Sequence, residues 1–248
     1  MTEPATFIVD HADVPGLRDA VAKLVGAGYS ESFVTERLGL EDLAHLQWRH
    51  LPIYRSEHLA ARDRLALAID LFLLQGALPA DELDRLLARS ERDVLIRAGL
   101  LAIDETGVAR ARASLFPVGD RLIFSDHAWP ELPHPGYATV PYDHVMAIGS
   151  ESRRLARCTT RRRFRSALDL CTGSGIHALL ASTHAKHVLA VDINPRGPLH
   201  TLQRPSLGRH QSGSRGWRSL RGRARRTFRP DYGESPVCAL AARHAALS

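Results

Sequence analysis

The sequence predicts a mixed α/β protein: a helical N-terminal part ending in a β-hairpin, then one β-α-β unit, then a basic tail. Apolar residues recur at three- and four-residue spacing through much of residues 17–101, which is typical of amphipathic helices. Residues 107–127 alternate apolar and polar positions, as a hairpin does. Residues 166–194 have the pattern strand, glycine turn, helix, strand. The sheet of that unit is predicted to be incomplete, because residues 197–248 show neither the spacing of apolar residues typical of a helix nor the alternation typical of a strand.

The composition indicates a globular protein in a reducing compartment. The chain has 248 residues, 44% of them hydrophobic, which is enough to form a core. No apolar run reaches the about 18 residues needed to cross a bilayer, and the N-terminus lacks the regions of a secretory signal. Cys158, Cys171 and Cys238 are odd in number and lack metal-ligand spacing. We expect a cytoplasmic protein with no membrane partner, disulfide framework or zinc, and the sequence leaves its oligomeric state open.

The positive net charge is confined to the C-terminal end. The whole chain has a formal charge of +6, but residues 196–248 contain 11 Arg, no Lys and 2 acidic residues. Residues 1–195 are therefore slightly acidic, with 22 basic against 25 acidic side chains. A basic tail is one feature of nucleic-acid-binding proteins, so the origin of this tail has to be explained before that function is considered.

The N-terminal part is predicted to contain several short helices. Residues 17–60 are helical in pattern, with Gly28 as a break, and residues 62–79 form a buried helix that ends at Gly76 and Pro79. Residues 80–90 and 91–101 are predicted to be two further helices.

A hairpin follows these helices, with its turn at Pro117–Asp120. Three helices followed by a hairpin is the order of a winged helix, which would bind nucleic acid or a protein partner. The alternative is a small helical cap on a catalytic domain. We favour the cap, because the candidate recognition helix mixes Arg92 and Arg97 with Glu91 and Asp93, and acidic groups repel phosphate.

Residues 131–165 are predicted to be a linker that leads to the β-α-β unit. His127, His134 and His144 lie in or beside a Pro-rich loop without ligand spacing, which indicates solvated side chains and no metal site. Seven Arg fall within residues 153–165. Such a run is usually a solvated helix face, and contact with an acidic substrate is the second possibility.

The segment "SALDLCTGSGIHALLASTHAKHVLAVDIN" is the most informative part of the chain. Gly173 and Gly175 allow a tight turn and a close approach of a ligand to the backbone. "GSGIHA" fits the dinucleotide fingerprint, so NAD is one candidate cofactor. Asp169, four residues earlier, would repel a pyrophosphate but suits the ammonium and sulfonium groups of S-adenosylmethionine. Asp192 can accept the ribose hydroxyls of either cofactor.

With these residues the chain resembles the class I S-adenosylmethionine-dependent methyltransferases. "DLCTGSGIHALLA" and "VLAVDINP" are similar to the cofactor motifs of the small-methyltransferase group, which includes release-factor glutamine N5-methyltransferases and rRNA guanine methyltransferases. The resemblance implies a Rossmann-like sheet, S-adenosylmethionine as cofactor, and a protein or RNA substrate. It places Asp169, Gly173 and Gly175 along the methionine part, with Cys171 and Ser174 as further candidate cofactor-binding positions.

The same resemblance extends to four further candidate positions and shows one departure. It places Asp192 and Ile193 at the ribose and adenine, and Gly149 with Ser150 in a segment that closes over the cofactor. Cys171 stands where many members have glycine. The specific match covers about 30 residues of a catalytic domain that would need roughly 180.

The family's substrate-gripping motif, Asn-Pro-Pro followed by an aromatic residue, is absent, so the sequence offers no catalytic residue. A one-nucleotide frameshift near Arg196–Gly197 accounts for this absence. Shifted by one base, codons for "GPLHTLQRPSLGRHQ" can encode the amphipathic helix ARFTRFNALLSGVTN. Codons for "TFRPDYGESPVC" can likewise encode RFDLITANPPFV, a strand that ends in the missing motif. We interpret the tail as out-of-frame translation and expect it to be disordered and the chain inactive.

These observations divide the chain into four parts: residues 1–130, winged-helix-like; 131–165, linker and closing segment; 166–196, partial Rossmann-like domain; and 197–248, the tail. The leading hypothesis is an enzyme that transfers methyl to a nitrogen of a protein glutamine or a nucleic-acid base. A non-enzymatic nucleic-acid-binding protein and an NAD-dependent oxidoreductase are the alternatives.

Overall fold

The computed structural model describes residues 13–119, 121–127, 144–192 and 194. The predicted tail, the candidate adenine contact Ile193 and most of the loop that precedes residue 144 lie outside the described residues.

The described chain is mixed α/β, with short helices and three small sheets. The α-helices are α1 (Val14–Gly26), α2 (Glu31–Leu38), α3 (Leu51–Ile53), α4 (Arg64–Ala68), α5 (Ala80–Leu86), α6 (Arg89–Arg97), α7 (Ser150–Cys158) and α8 (Ile176–Ala181). The strands are β1 (Ala77–Leu78), β2 (Leu101–Ile103), β3 (Ala109–Ala111), β4 (Ser114–Val118), β5 (Arg121–Ser125), β6 (Phe164–Leu170) and β7 (Ala185–Val191). Leu43–His45 and Trp48–His50 are 3₁₀ turns, and Tyr54–His58 and Ile69–Leu73 are π-helical. No helix in this described part is long and apolar enough to cross a membrane.

The first two helices separate where the sequence predicts a break. Helix α1 buries Leu17, Ala20, Val21 and Leu24, one face at helical spacing. Gly28 then adopts φ +89°, a left-handed conformation that glycine takes without steric cost. Beyond α2, the predicted helical region 17–60 does not continue as a single helix. It consists of separate 3₁₀, α and π segments between Leu43 and His58.

The centre of the N-terminal part is a helix that is buried from Ala66 onward. Helix α4 continues into the π segment Ile69–Leu73, in which every residue is buried. One of them, Asp70, is charged and only 5% exposed. Its carboxylate accepts from Arg55 Nε at 2.9 Å and from Arg62 Nη1 at 2.7 Å. The buried charge is therefore paired on both oxygens, as a charge in a core must be.

A three-stranded antiparallel sheet flanks this helix, in the order β1-β3-β2. Helices α5 and α6 lie between β1 and β2 in the chain. The β2–β3 turn is held by Asp104, whose Oδ1 accepts from the backbone N–H groups of Thr106 and Val108, both at 3.0 Å. These bonds and one from the Thr106 hydroxyl lower the pKa of Asp104 to about 2.

The predicted hairpin is present as β4 and β5, paired antiparallel from Ser114↔Ser125 to Val118↔Arg121. Tyr29, fully buried, donates from its hydroxyl to the carbonyl of Leu115 at 2.6 Å. At the turn, Gly119 exchanges hydrogen bonds with Glu31 in α2. These contacts attach the hairpin to the first helices.

Helix α7, inside the predicted linker, packs against the N-terminal elements through two arginines. Arg153, only 8% exposed, pairs with Glu31 and lies 2.8 Å from Asp42, measured from Nε to Oδ1. Arg157 pairs with the same Asp42. Burial, and then the neighbouring Arg157, lowers the pKa of Arg153, which shows that removing this charge from water is costly even with two acidic partners beside it.

The last described unit is the predicted β-α-β. Strands β6 and β7 are parallel, with Phe164 opposite Ala185 and Leu170 opposite Val191. Helix α8 connects them and buries Ile176, Ala178 and Leu179. In the described part of the chain, this parallel sheet has two strands.

Candidate functional site

The turn between β6 and α8 has an unusual backbone. Cys171, Gly173 and Gly175 have φ values of +59°, +52° and +82°. Left-handed residues direct the chain back sharply, and a side chain makes this conformation costly. Glycine at two of the three positions follows from this geometry, and Cys171 is the strained exception. Gly175 donates to the carbonyl of Thr172 at 2.8 Å, which closes the turn.

Asp169, the candidate partner of a cofactor cation, holds the start of α8. Its Oδ2 accepts from the backbone N–H of Ala178 at 2.8 Å and from the Thr172 hydroxyl at 2.6 Å. The residue that precedes the helix, Gly175, has no side chain to accept from these first N–H groups. The carboxylate at the end of β6 replaces the missing cap. Its Oδ1 accepts no hydrogen bond from the described residues.

Asp192, at the end of β7, attaches the second strand to the same turn. Its Oδ2 accepts from the backbone N–H of Gly173 at 2.7 Å, and its Oδ1 accepts from Asn194 N at 2.8 Å. Each carboxylate oxygen has two lone pairs, so both oxygens retain capacity for another donor. The structure therefore brings Asp169, Gly173 and Asp192 together at the carboxyl ends of two parallel strands. Ligands of open α/β sheets bind at this end.

The space above Gly173 is open. A Cβ built on this residue would meet no heavy atom within 4 Å, so packing against the chain does not require glycine there. Thr172 and Ser174, on either side, are buried at 4% and 6% exposure. Cys171 is exposed. The turn thus presents backbone and one thiol to the open side and directs its hydroxyls inward.

Gly149 and Ser150 stand at the N-terminus of α7, and their hydrogen bonds stay within that helix. The Gly149 carbonyl accepts from Arg153 N at 3.2 Å, and the Ser150 hydroxyl donates to Glu151 at 2.9 Å. Helix α7 does contact α8. The small crevice of about 20 Å³ between them is lined by Ala156 and Thr159, at the C-terminal end of α7, and by His177, Leu180 and His184, along and just after α8. The structure therefore joins α7 to α8 at the end remote from Gly149 and Ser150.

One face of the β6–β7 sheet is exposed, with no element of the described residues packed over it. Leu168 lies opposite Leu189, and Leu170 lies opposite Val191, so these four side chains share a face. Leu170 is 41% exposed and Leu189 is 50% exposed, whereas Ala190, next to Leu189, is 6% exposed. The buried side is the one covered by α8. Two-layered burial is the rule for parallel sheets, so this apolar face lacks its second layer among the described residues.

The arginines of α6, the candidate recognition helix, are each paired with an acid. Arg92 pairs with Asp84, Arg97 Nη2 lies 2.9 Å from Asp13, and Arg89 lies 3.9 Å from Asp93. Helix α6 also packs against α1. Charges that are neutralised in this way offer little attraction to phosphate. Among the described residues, no group of three or more His, Cys, Asp or Glu side chains could hold a metal ion.

Two comparisons with known proteins bear on the N-terminal part and on the whole chain. Residues 26–112 match the family model of a domain of unknown function, DUF7059. The match includes α2 to α6, the three-stranded sheet and the buried Asp70, and it ends before the hairpin and the cofactor turn. No curated protein matches the chain significantly.

Sequence reasoning did not predict the structural function of Asp169 or the partnership of Thr172 with it. One signal was available, because a helix preceded by glycine needs an acceptor from elsewhere. Asp169 is the nearest acid in the chain to that helix start.

Proposed function

We propose that residues 166–192 are the cofactor-binding unit of a class I S-adenosylmethionine-dependent methyltransferase. The reaction would transfer methyl to a nitrogen of a protein glutamine or a nucleic-acid base. Bound S-adenosylmethionine supplies an activated methyl group, and the chain positions it against the acceptor. Cys171 to Gly175 would lie along the methionine part, and Asp192 would accept from the ribose hydroxyls.

The position of the Asp169 carboxylate is the observation that supports this cofactor over NAD. A dinucleotide places its pyrophosphate at the N-terminus of the helix after the glycine turn, where N–H groups are unpaired. In this chain the Ala178 N–H at that position already donates to Asp169, at 2.8 Å. A pyrophosphate would compete with the carboxylate for the donor and be repelled by its charge. An ammonium group would instead find the available Oδ1 oxygen.

The uncovered sheet supports the second part of the proposal, that the printed chain lacks part of its catalytic domain. The face with Leu170 and Leu189 is apolar and exposed, and a complete Rossmann-like sheet covers both faces. A reading-frame shift near residue 197 would have removed the covering helix and the Asn-Pro-Pro motif together. This polypeptide therefore does not transfer methyl groups, although its cofactor unit descends from enzymes that do.

The N-terminal part is proposed to be winged-helix-like and to hold the substrate. The order α4, β1, α5, α6, β2, β3, with β1 paired to β3, supports this architecture, and the β2–β3 turn would then be the wing in place of the hairpin β4–β5 that the sequence predicted. The paired arginines of α6 favour a scaffold over a sequence-reading helix.

The gene sequence tests the frame, and an activity assay tests the enzyme. Resequencing the codons for Asp192 to Gly213 is expected to reveal one inserted or deleted nucleotide. The frame-restored protein should transfer labelled methyl from S-adenosylmethionine to a cell extract depleted of endogenous methylation. At a cofactor concentration below saturation, Asp192→Ala should reduce the transfer, and Asp93→Ala, on the exposed side of α6, should not.

An unaltered gene sequence, together with methyl transfer by the printed chain, would refute the frameshift. A restored protein that binds NAD and not S-adenosylmethionine would refute the methyltransferase assignment.

A further inference from the structure

A basic surface lies at the amino ends of β6 and β7, opposite the cofactor turn. Its members, here called the strand-end surface, are Arg161, Arg162, Arg163, Phe164, Arg165, Lys186 and His187. All of them except Phe164 are exposed. Five of them line a concavity of about 550 Å³: Arg163, Phe164, Arg165, Lys186 and His187. This volume lies outside the proposed cofactor site.

Three of the cations on this surface are not neutralised by the described residues. Arg163, Arg165 and Lys186 make no ion pair with the described residues, in contrast to the arginines of α6. Residues 149–192 contain three acids, and two of them, Asp169 and Asp192, lie at the other end of the strands. A strand of seven residues spans roughly 20 Å, about two Debye lengths at physiological salt, so those two acids are screened from the surface.

An aromatic ring lies beside these cations, on the opposite face of the β6–β7 sheet from Arg165 and Lys186. The Arg162 guanidinium is 5.2 Å from the centroid of the Phe164 ring, within cation–π distance. His184 contacts the same ring edge-on, at 6.0 Å between centroids. The ring is thus held between a planar cation and an imidazole, at a fixed place in β6. Base stacking on a fixed aromatic ring and phosphate pairing with nearby arginines together characterise single-strand binding surfaces.

We propose that the strand-end surface binds single-stranded nucleic acid, with phosphates on Arg163, Arg165 and Lys186 and an unpaired base at Phe164. An acidic peptide could pair with the cations but has no base to stack on the Phe164 ring. The bases of a duplex are already stacked on one another and would not reach the ring. The inference rests on the proposed function in one respect: it favours a nucleic acid over a protein as the substrate, with the base at Phe164 roughly 20 Å from the cofactor turn and therefore not itself the methyl acceptor. Binding itself requires no cofactor.

The first test is fluorescence anisotropy of a labelled oligouridylate of about 16 nucleotides with the full chain. Phe164→Leu keeps an apolar side chain in β6 but removes the ring, and it should weaken binding about 10-fold without changing the salt dependence. The double variant Arg163→Gln, Arg165→Gln should reduce the slope of log affinity against log salt by about 1.4. Arg89→Gln, an exposed arginine of α6, is the matched control and should change neither quantity.

Crosslinking separates this surface from the Arg-rich residues 196–248. An oligonucleotide with 4-thiouridine, irradiated in complex with the chain, should give crosslinked peptides from residues 161–165. Any of three results would overturn the proposal. The crosslinks could be confined to residues 196–248, or the affinities and salt slopes of the variants could equal those of Arg89→Gln. Polyglutamate could also compete as effectively as unlabelled oligouridylate. A protein that binds the oligonucleotide at this surface but does not bind S-adenosylmethionine would support the nucleic-acid site. The same result would refute the proposed methyltransferase function.

Discussion

Asp169 is predicted to stabilise the turn as well as to serve a cofactor, and hydrogen exchange can separate the two functions. In Asp169→Ala, the Ala178 N–H loses its acceptor, which costs about 1 kcal/mol as a lost helix cap. The Thr172 hydroxyl, 4% exposed, also loses its acceptor at 2.6 Å, which adds about 1 kcal/mol. The local cost is therefore about 2 kcal/mol, and exchange of the Ala178 amide should accelerate roughly 30-fold.

Asp169→Asn provides the comparison, because its amide oxygen, placed where Oδ2 lies, can accept both hydrogen bonds but without the charge that strengthens them. The variant should accelerate Ala178 exchange only about 5-fold, a cost near 1 kcal/mol, yet it removes the whole negative charge. Amide exchange followed by mass spectrometry of peptides across residues 171–181 measures both variants. Asp192→Ala is the control: it should expose the Gly173 amide and leave Ala178 unchanged. Unchanged protection of Ala178 in Asp169→Ala would refute the capping function.

Three further predictions concern stability. Asp70→Ala should lower the free energy of unfolding, measured by urea denaturation, by about 2–3 kcal/mol. This loss is smaller than the usual cost of breaking a buried ion pair, because Arg55 and Arg62, at 41% and 31% exposure, can be hydrated again. Burial lowers the pKa of His127, so its neutral form contributes stability that is complete above pH about 6.5 and is lost as the pH falls further. His127→Gln should reduce this loss of stability in acid. An identical dependence of the unfolding free energy on pH in the variant would exclude His127 as the cause. Cys171→Gly should relieve backbone strain and raise the free energy of unfolding by about 0.5 kcal/mol, which would be seen as a slightly higher melting temperature. A lower melting temperature would contradict the left-handed conformation of Cys171.

The helices and the β-α-β unit were predictable where the pattern is local. Helix α1 has four buried residues at helical spacing, and Gly28 and Gly99 both adopt positive φ near helix ends. The sheet β1-β3-β2 was not predicted, because strands of two or three residues are too short to show a period. The π-helical continuation of α4 also has no local signal, since a buried apolar run fits either helix type.

At the candidate site, the glycine turn and the two acids were predictable, and their hydrogen bonds were not. Asp169 and Asp192 stand at strand ends that parallel pairing must bring together. Their partners, Ala178 N and Gly173 N, depend on a left-handed turn that the sequence only permits. The anchoring of α7 by Arg153 depends on Glu31, more than a hundred residues away in the chain, and no spacing rule reaches that distance.

Calorimetric titration tests the central claim most directly, using the protein expressed from the resequenced gene. S-adenosylmethionine should bind at one site, and Asp192→Ala should weaken it by about 1–3 kcal/mol, because buried ribose hydroxyls would lose a charged acceptor. NAD should give no heat, since the Asp169 carboxylate occupies the helix start that its pyrophosphate needs. Binding of NAD with no response to S-adenosylmethionine, or an affinity unaltered in Asp192→Ala, would contradict the account.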